Sequence, residues 1–301
     1  MHCRPFRCAA VALGFCLLNT VAAGQDAITE HIPSFFRSGE YLAEETYVAD
    51  ANVRRGSQVI RDFTESDTIL RFVLTPRIKL GVLRLGAEWE RFSFGLPHGA
   101  QLPSTLQSAS LVVGLDTQLS DSILVRFEAQ PGLYGTNHLE GSDFNVPFLI
   151  GGTYIYNPNL QFVLGVSVDV ERKYPLIPGA GIRWKISRQW LLNASLPEPR
   201  IEFEAAKNVA LYLGATFKET SFRVADDFSN TRRNSRLNRA VLTYSEVRTG
   251  VGVDWKITPA VTLSAEAGYQ PYRSFDFYRL DLRFHENGSA PYGMLQLHGA
   301  F

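Results

Sequence analysis

The chain has 301 residues, 45% hydrophobic and 20% charged, and its 30 basic residues balance its 30 acidic ones. That balance excludes the bulk positive charge a nucleic-acid binder would use. The three cysteines are Cys3, Cys8 and Cys16, so nothing downstream can form a disulfide or a thiolate metal site.

The N-terminal segment predicts an export signal. Arg4 and Arg7 precede an apolar run over residues 8–18, and the small residues Ala22 and Ala23 follow. This is the pattern of a cleaved secretory signal peptide over residues 1–23. The run is too short to cross the roughly 30 Å hydrocarbon core as an anchor. Phe15, just before Cys16, does not suit a lipid-attachment site. Residues 24–38 read as a lead-in, and residues 39–301 as one domain.

No later stretch carries the ~18 continuous apolar residues that a membrane helix needs. What recurs is alternation with period two, the signature of strands with unlike faces. Residues 41–48 and 146–156 read as strands with apolar residues on both faces. Residues 123–130 set Ile123, Val125 and Phe127 against Arg126, Glu128 and Gln130. Residues 161–171 set Phe162, Leu164, Val166, Val168 and Val170 against Asp169 and Glu171. Residues 209–218, 241–257 and 261–270 alternate likewise. Val241, Thr243, Val251 and Trp255 fall on the apolar face, while Glu246, Arg248 and Asp254 fall on the polar one.

Two folds accommodate such strands. A soluble sandwich buries the apolar faces in a shared core. A transmembrane antiparallel up-and-down β-barrel turns them to lipid and its polar faces to a lumen. Connection lengths favour the barrel, whose turns are short at one end and longer at the other. If the last strand ends in the periplasm, the periplasmic turns are 75–77, 119–122, 157–159, 187–189, 204–208 and 258–260. The external connections are 51–66, 95–105, 131–145, 172–176, 226–239 and 281–290, most of them long and polar. The exception is the short connection Leu196-Pro197-Glu198-Pro199. Its flanking strands are brief. Counting them gives fourteen strands, and omitting them gives twelve. The other readings are a secreted or periplasmic soluble β-protein that binds a ligand, and an outer-membrane enzyme.

Candidate lumen residues follow from parity: Arg84, Glu88, Arg126, Glu128, Asp169, Glu171, Glu246, Arg248, Asp254 and Glu266. Their mixed signs fit a water-filled path or an ion-paired structural interior, and buried charges need such partners. Aromatic residues near strand ends, among them Phe92, Phe94, Trp184, Trp190, Trp255, Tyr269, Phe275 and Phe277, read as interfacial girdles. Arg232, Arg233, Arg236 and Arg239 mark a basic external loop. His138 and Ser142 share another loop, but nothing in the spacing builds a nucleophile–base–orienter arrangement. No metal-ligand spacing and no cofactor motif is visible, and the reading is of a non-enzyme.

The runs LPEPRIEF (196–203), LYLGATFK (211–218) and SFRVADDF (221–228), followed by GVGV (250–253) and EAGY (266–269), resemble a family of uncharacterised bacterial outer-membrane β-barrels. The resemblance implies fold and location, with outer-membrane lipid as surroundings, and it implies no substrate. The chain closes on MLQLHGAF, in which Leu295, Leu297 and Phe301 share one parity. The resemblance implies that this ending is the strand recognised by the barrel assembly machinery, since strand addition uses main-chain bonds and alternate side chains.

Overall fold

The computed structural model describes residues 38–97, 100–228 and 235–301. The expected signal peptide, nearly all of the lead-in, and Arg232 and Arg233 lie outside them. No helix among the described residues is long and apolar enough to cross a membrane.

Fourteen strands close into one antiparallel ring. They are β1 (Gly39–Arg55), β2 (Gln58–Leu74), β3 (Gly81–Gly95), β4 (Thr105–Ser120), β5 (Ile123–Ala129), β6 (Phe148–Asn157) and β7 (Leu160–Val168). There follow β8 (Leu176–Lys185), β9 (Trp190–Ser195), β10 (Arg200–Ala206), β11 (Val209–Arg223), β12 (Val241–Thr258), β13 (Val261–Phe277) and β14 (Ala290–Ala300). Each pairs with the next, and β14 pairs back onto β1 from Glu40↔Ala300 to Val48↔Tyr292. The brief strands β9 and β10 are full members of the ring, which settles the count at fourteen.

The seam closes at its last residue. The amides of Gly39 and Phe301 each donate to the other's carbonyl at 2.9 Å. The Phe301 ring stacks on Phe72 at 6.1 Å. A side chain at Gly39 would put its Cβ 2.6 Å from that ring, so glycine makes room for the close approach.

Faces follow parity. Leu70, Phe72, Leu111, Phe127, Leu164, Leu213, Val251, Leu295 and Leu297 turn outward and are exposed. Arg84, Arg126, Glu128, Glu246, Arg248 and Asp254 turn inward and are buried. A core of charges inside a shell of leucine and phenylalanine is inverted relative to a water-soluble protein.

The ring changes size along its axis. At the end opposite the seam's terminal residues, here the loop end, β6 to β10 stop short. Nine segments run on: β1, β2, β3, β4, Gly132–Gly135, β11, β12, β13 and Leu282–Asn287. They close a second, smaller ring through Gln107↔Gly135, the parallel contact Gly135↔Arg223, Phe277↔Leu282 and Asn52↔Asn287. Barrel diameter grows with strand number, so this ring is narrow enough for side chains to fill. They do. Phe63, Phe92, Phe94, Phe222, Tyr244, Phe275 and Phe284 are buried together inside it.

This plug corrects the girdle expectation for Phe92, Phe94, Phe275 and Phe277. On β3, Phe92 and Phe94 continue the inward parity of Arg84 and Glu90. On β13 the face reverses at a bulge, where Val247↔Tyr272 is followed by Thr249↔Tyr269. Pro271 sits in that bulge, where it has no N–H to offer the ladder. Gln270 and Arg273 therefore both point inward, with Phe275 and Phe277 above.

Two further expectations change. Residues 51–66 are mostly strand, because β1 and β2 continue past two register shifts to a tight turn after Arg55. Val241 and Thr243 have outward parity but are buried. The connection from β7 to β8 lies against this face, where Lys173 bonds Asp276, the register partner of Thr243, at 3.1 Å.

Leu164 is 68% exposed on β7. Leu164→Arg should destabilise the barrel in liposomes by up to about 2–4 kcal/mol, the cost of a cation near the bilayer midplane. Urea unfolding of the refolded protein measures it, and an unchanged midpoint would contradict a lipid-facing surface.

Candidate functional site: the lumen

Strand parity delivers charged side chains to the lumen, and their pairing varies with height. Nearest the seam's terminal end, Arg84 donates to both oxygens of Glu40 at 3.2 and 2.8 Å and to Glu128 at 3.2 Å. Arg71 joins Glu88 at 2.6 Å and Glu128 at 2.8 Å. Arg126 donates to the two oxygens of Asp116 at 2.6 and 2.5 Å. On the facing wall Arg200 bonds Glu202 at 2.8 Å and lies 3.5 Å from Asp254, which accepts from Ser264 at 2.7 Å. A charge withdrawn from water needs such partners.

Higher up, one bond set crosses the lumen. Lys218 on β11 reaches Asp67 on β2 at 2.9 Å and Glu90 on β3 at 2.6 Å. Its ammonium also lies 4.9 Å from the centre of the Phe92 ring. Arg248 donates to Thr46 at 2.6 Å and lies 3.5 and 3.4 Å from Glu44 and Glu246. Glu266 accepts a hydrogen bond from Tyr292. Directly under the plug, Arg273 bonds Glu65 at 2.6 Å, and the Tyr244 hydroxyl lies 2.8 Å from Glu65 and 2.9 Å from Glu246.

Asp169 and Glu171 sit at the upper rim, where Asp169 borders the cavity described below. Asp169 accepts from Asn145 at 2.8 Å. Glu171 holds Arg223 and Arg279, each at 2.8 Å. His138 and Ser142 are exposed, and no hydrogen bond joins them. Among the described residues no group of His, Asp and Glu is placed to hold a metal ion.

Between the ion-paired layers lies a cavity of about 640 Å³. Glu44, Glu88, Glu90, Glu128, Lys218, Glu246 and Arg248 border it. Sequence reading passed over Glu40, Glu44, Glu65, Asp67, Arg71 and Arg273. For Asp67 and Arg71 a signal exists. They alternate with the outward-facing Thr68, Leu70 and Phe72.

A closed ring with an apolar outer band and an ion-paired interior is a membrane-spanning β-barrel of the outer-membrane kind. The chain belongs to a family described as a domain of unknown function, DUF6268, which matches residues 69–287. No curated protein matches the chain. Among solved structures, an outer membrane channel from Pseudomonas putida F1 is similar at 10% identity and a TM-score of 0.49, over 90% of this chain and 100% of that one. The CymD monoaromatic hydrocarbon channel is similar at 10% identity and a TM-score of 0.43, over 89% of this chain and 90% of that one. The NanC porin is similar at 10% identity and a TM-score of 0.40, over 86% and 98%.

Lys218→Met would leave Asp67 and Glu90 facing one another without a cation. The expected loss is about 3–5 kcal/mol in urea unfolding, the range for breaking one side of a buried pair. Lys218→Arg, which keeps the charge, should lose less.

Proposed function

We propose that this protein is a passive pore of the outer membrane, a narrow barrel that admits small solutes without covalent chemistry. The observation that carries this reading is the cavity of about 640 Å³ that reaches into the ring's interior and is bordered by charges of both signs. Mixed signs suit small polar or amphiphilic solutes in general rather than one ion, since strongly selective pores present one dominant charge. The aromatic plug favours a second reading, a closed structural barrel, because Phe63, Phe94 and Phe275 fill the loop end.

In this reading residues 1–23 direct export, the long connections face outward, and Leu295, Leu297 and Phe301 form the strand that the assembly machinery recognises. All three side chains lie on the outer face, beside the β1 edge they close.

Liposomes carrying the refolded protein should be more permeable to small sugars than empty ones. Phe94→Ala with Phe275→Ala should raise single-channel conductance several-fold by thinning the plug. If both preparations stay as tight as empty liposomes, the structural-barrel reading replaces the pore. Deleting Phe301 should lower the yield of heat-shiftable barrel in the outer membrane of a producing cell. Undiminished yield would show that the terminal aromatic has no part in assembly.

A further inference from the structure

The step from the wide ring to the narrow one leaves a break in the wall. β8 is paired to β9 only from Gly181↔Ser195 downward, so Leu176 to Ala180 have no neighbour on that edge. β11 is paired to β10 only up to Gly214↔Arg200. Above that, the amides of Ala215 and Phe217 bond the carbonyls of Pro199 and Pro197 at the hairpin tip, both at 2.9 Å. No strand then lies beside β11 on that edge until Arg223 meets Gly135. The break is bounded by β8, the 196–199 tip and β11. It is roofed by the β7–β8 connection, which Glu171 and Lys173 tie to Arg223 and Asp276.

We propose that this break is a side window through which a small molecule with an apolar body and a cationic head passes between the lumen and the lipid around the barrel. The inference rests on the pore reading and names the route and the class of solute.

The cavity itself shows the continuity. It is bordered by Thr216 and Lys218, which point inward on β11, and also by Ala215 and Phe217, which point outward on the same strand. Val247 and Tyr272, on the outer face of β12 and β13, border it too. One cavity can touch both faces of a strand only around an open edge. Unpaired backbone at membrane depth is tolerated where it lines a water-containing cavity, which is where this edge lies. The loop end of the axis is filled by the aromatic plug, so the window is the wider way in from that half of the barrel.

Charge selects the solute. Of the basic residues bordering the cavity, Arg71, Arg200, Lys218 and Arg248 are already held by carboxylates. Arg172 donates to the carbonyls of Ser167 and Pro175 within the roof. Asp169, Glu198 and Glu219 also border the cavity; no salt bridge holds any of them among the described residues, and the Arg172 guanidinium acts on Asp169 and Glu219 only at longer range. Three carboxylates against the one guanidinium of Arg172 leave the rim negative, which attracts cations. The volume, about 640 Å³, suits a molecule of one or two rings.

The test uses the full chain with Cys3, Cys8 and Cys16 changed to serine, refolded into liposomes. Bimane is attached to single cysteines at Thr216→Cys, Phe217→Cys and Ser110→Cys, the last an enclosed lumen position on β4. Lipids carrying a nitroxide on the acyl chain report contact with hydrocarbon. Thr216→Cys, although inward-facing, should be quenched nearly as strongly as Phe217→Cys and several-fold more than Ser110→Cys. Quenching no greater than at Ser110→Cys overturns the window.

The solute class is read by protection of unlabelled Thr216→Cys from a maleimide. Benzyltrimethylammonium should slow capture about tenfold more than benzenesulfonate does, a contrast of the size expected for opposite against like charge at a partly wet site. Glu198→Gln with Glu219→Gln should erase the contrast. Equal protection by the two ions in the parent protein overturns the cationic class. Conductance on the same liposomes separates this inference from the pore reading. An insulating barrel with Thr216→Cys still quenched overturns the pore alone, and a conducting barrel with Thr216→Cys shielded overturns the window alone.

Discussion

Hydrocarbon offers no hydrogen bond to a peptide group, so every strand that meets lipid must find a neighbour on both sides. That demand closes the fourteen-stranded ring and places the seam at Gly39 and Phe301. It also governs how the ring narrows. Five strands end below the loop end, and the survivors must find new neighbours at once. The contacts Gln107↔Gly135 and Gly135↔Arg223 supply them, and the register shifts in β1 and the bulge in β13 bend the strands at this step. The stretch of edge on β11 that finds no neighbour begins above Phe217, and its first residues, Lys218, Glu219 and Thr220, border the cavity.

The interior chemistry follows the width. Where the ring is wide, arginines and carboxylates on nearby strands pair along the wall, as Arg84 does with Glu40 and Arg126 with Asp116. Where it begins to narrow, Lys218 can span the lumen to Asp67 and Glu90. Where only nine segments remain, rings replace charges, and Phe92, Phe94, Tyr244 and Phe275 touch one another with centroids 4.8 to 6.3 Å apart. Arg273 links the last two regimes, bonded to Glu65 and stacked 4.4 Å from the Phe63 ring.

Much of the fold was legible because period-two alternation is a local property. A strand such as β7 shows Phe162, Leu164 and Val166 on one parity whatever lies beside it. The turns between strands carry their own chemistry in the same way. The inward position of Phe92 and Phe94 could be read as well, since they share parity with Arg84 and Glu90. The expectation that strand-end aromatics sit at the membrane interface runs against that parity. The bulge at Pro271 could not be read from alternation, because it breaks the pattern by one residue and reverses every side chain beyond it. The narrowing was also out of reach. It depends on Gly135 meeting Arg223, two residues remote in sequence with no local pattern to announce their contact. The partners of Lys218 were hidden for the same reason.

The mutual bonds between Gly39 and Phe301 have a kinetic consequence. Each of the other pairings in the fourteen-strand ring joins strands that follow one another along the chain, so hairpins can form in order as the polypeptide arrives. The β1–β14 pairing instead joins the two ends of the folded chain, the largest loop that any contact in the ring must close. Until it forms, β1 and β14 are both bare edges. Of all the pairings in the fourteen-strand ring, this seam therefore carries the largest cost of loop closure.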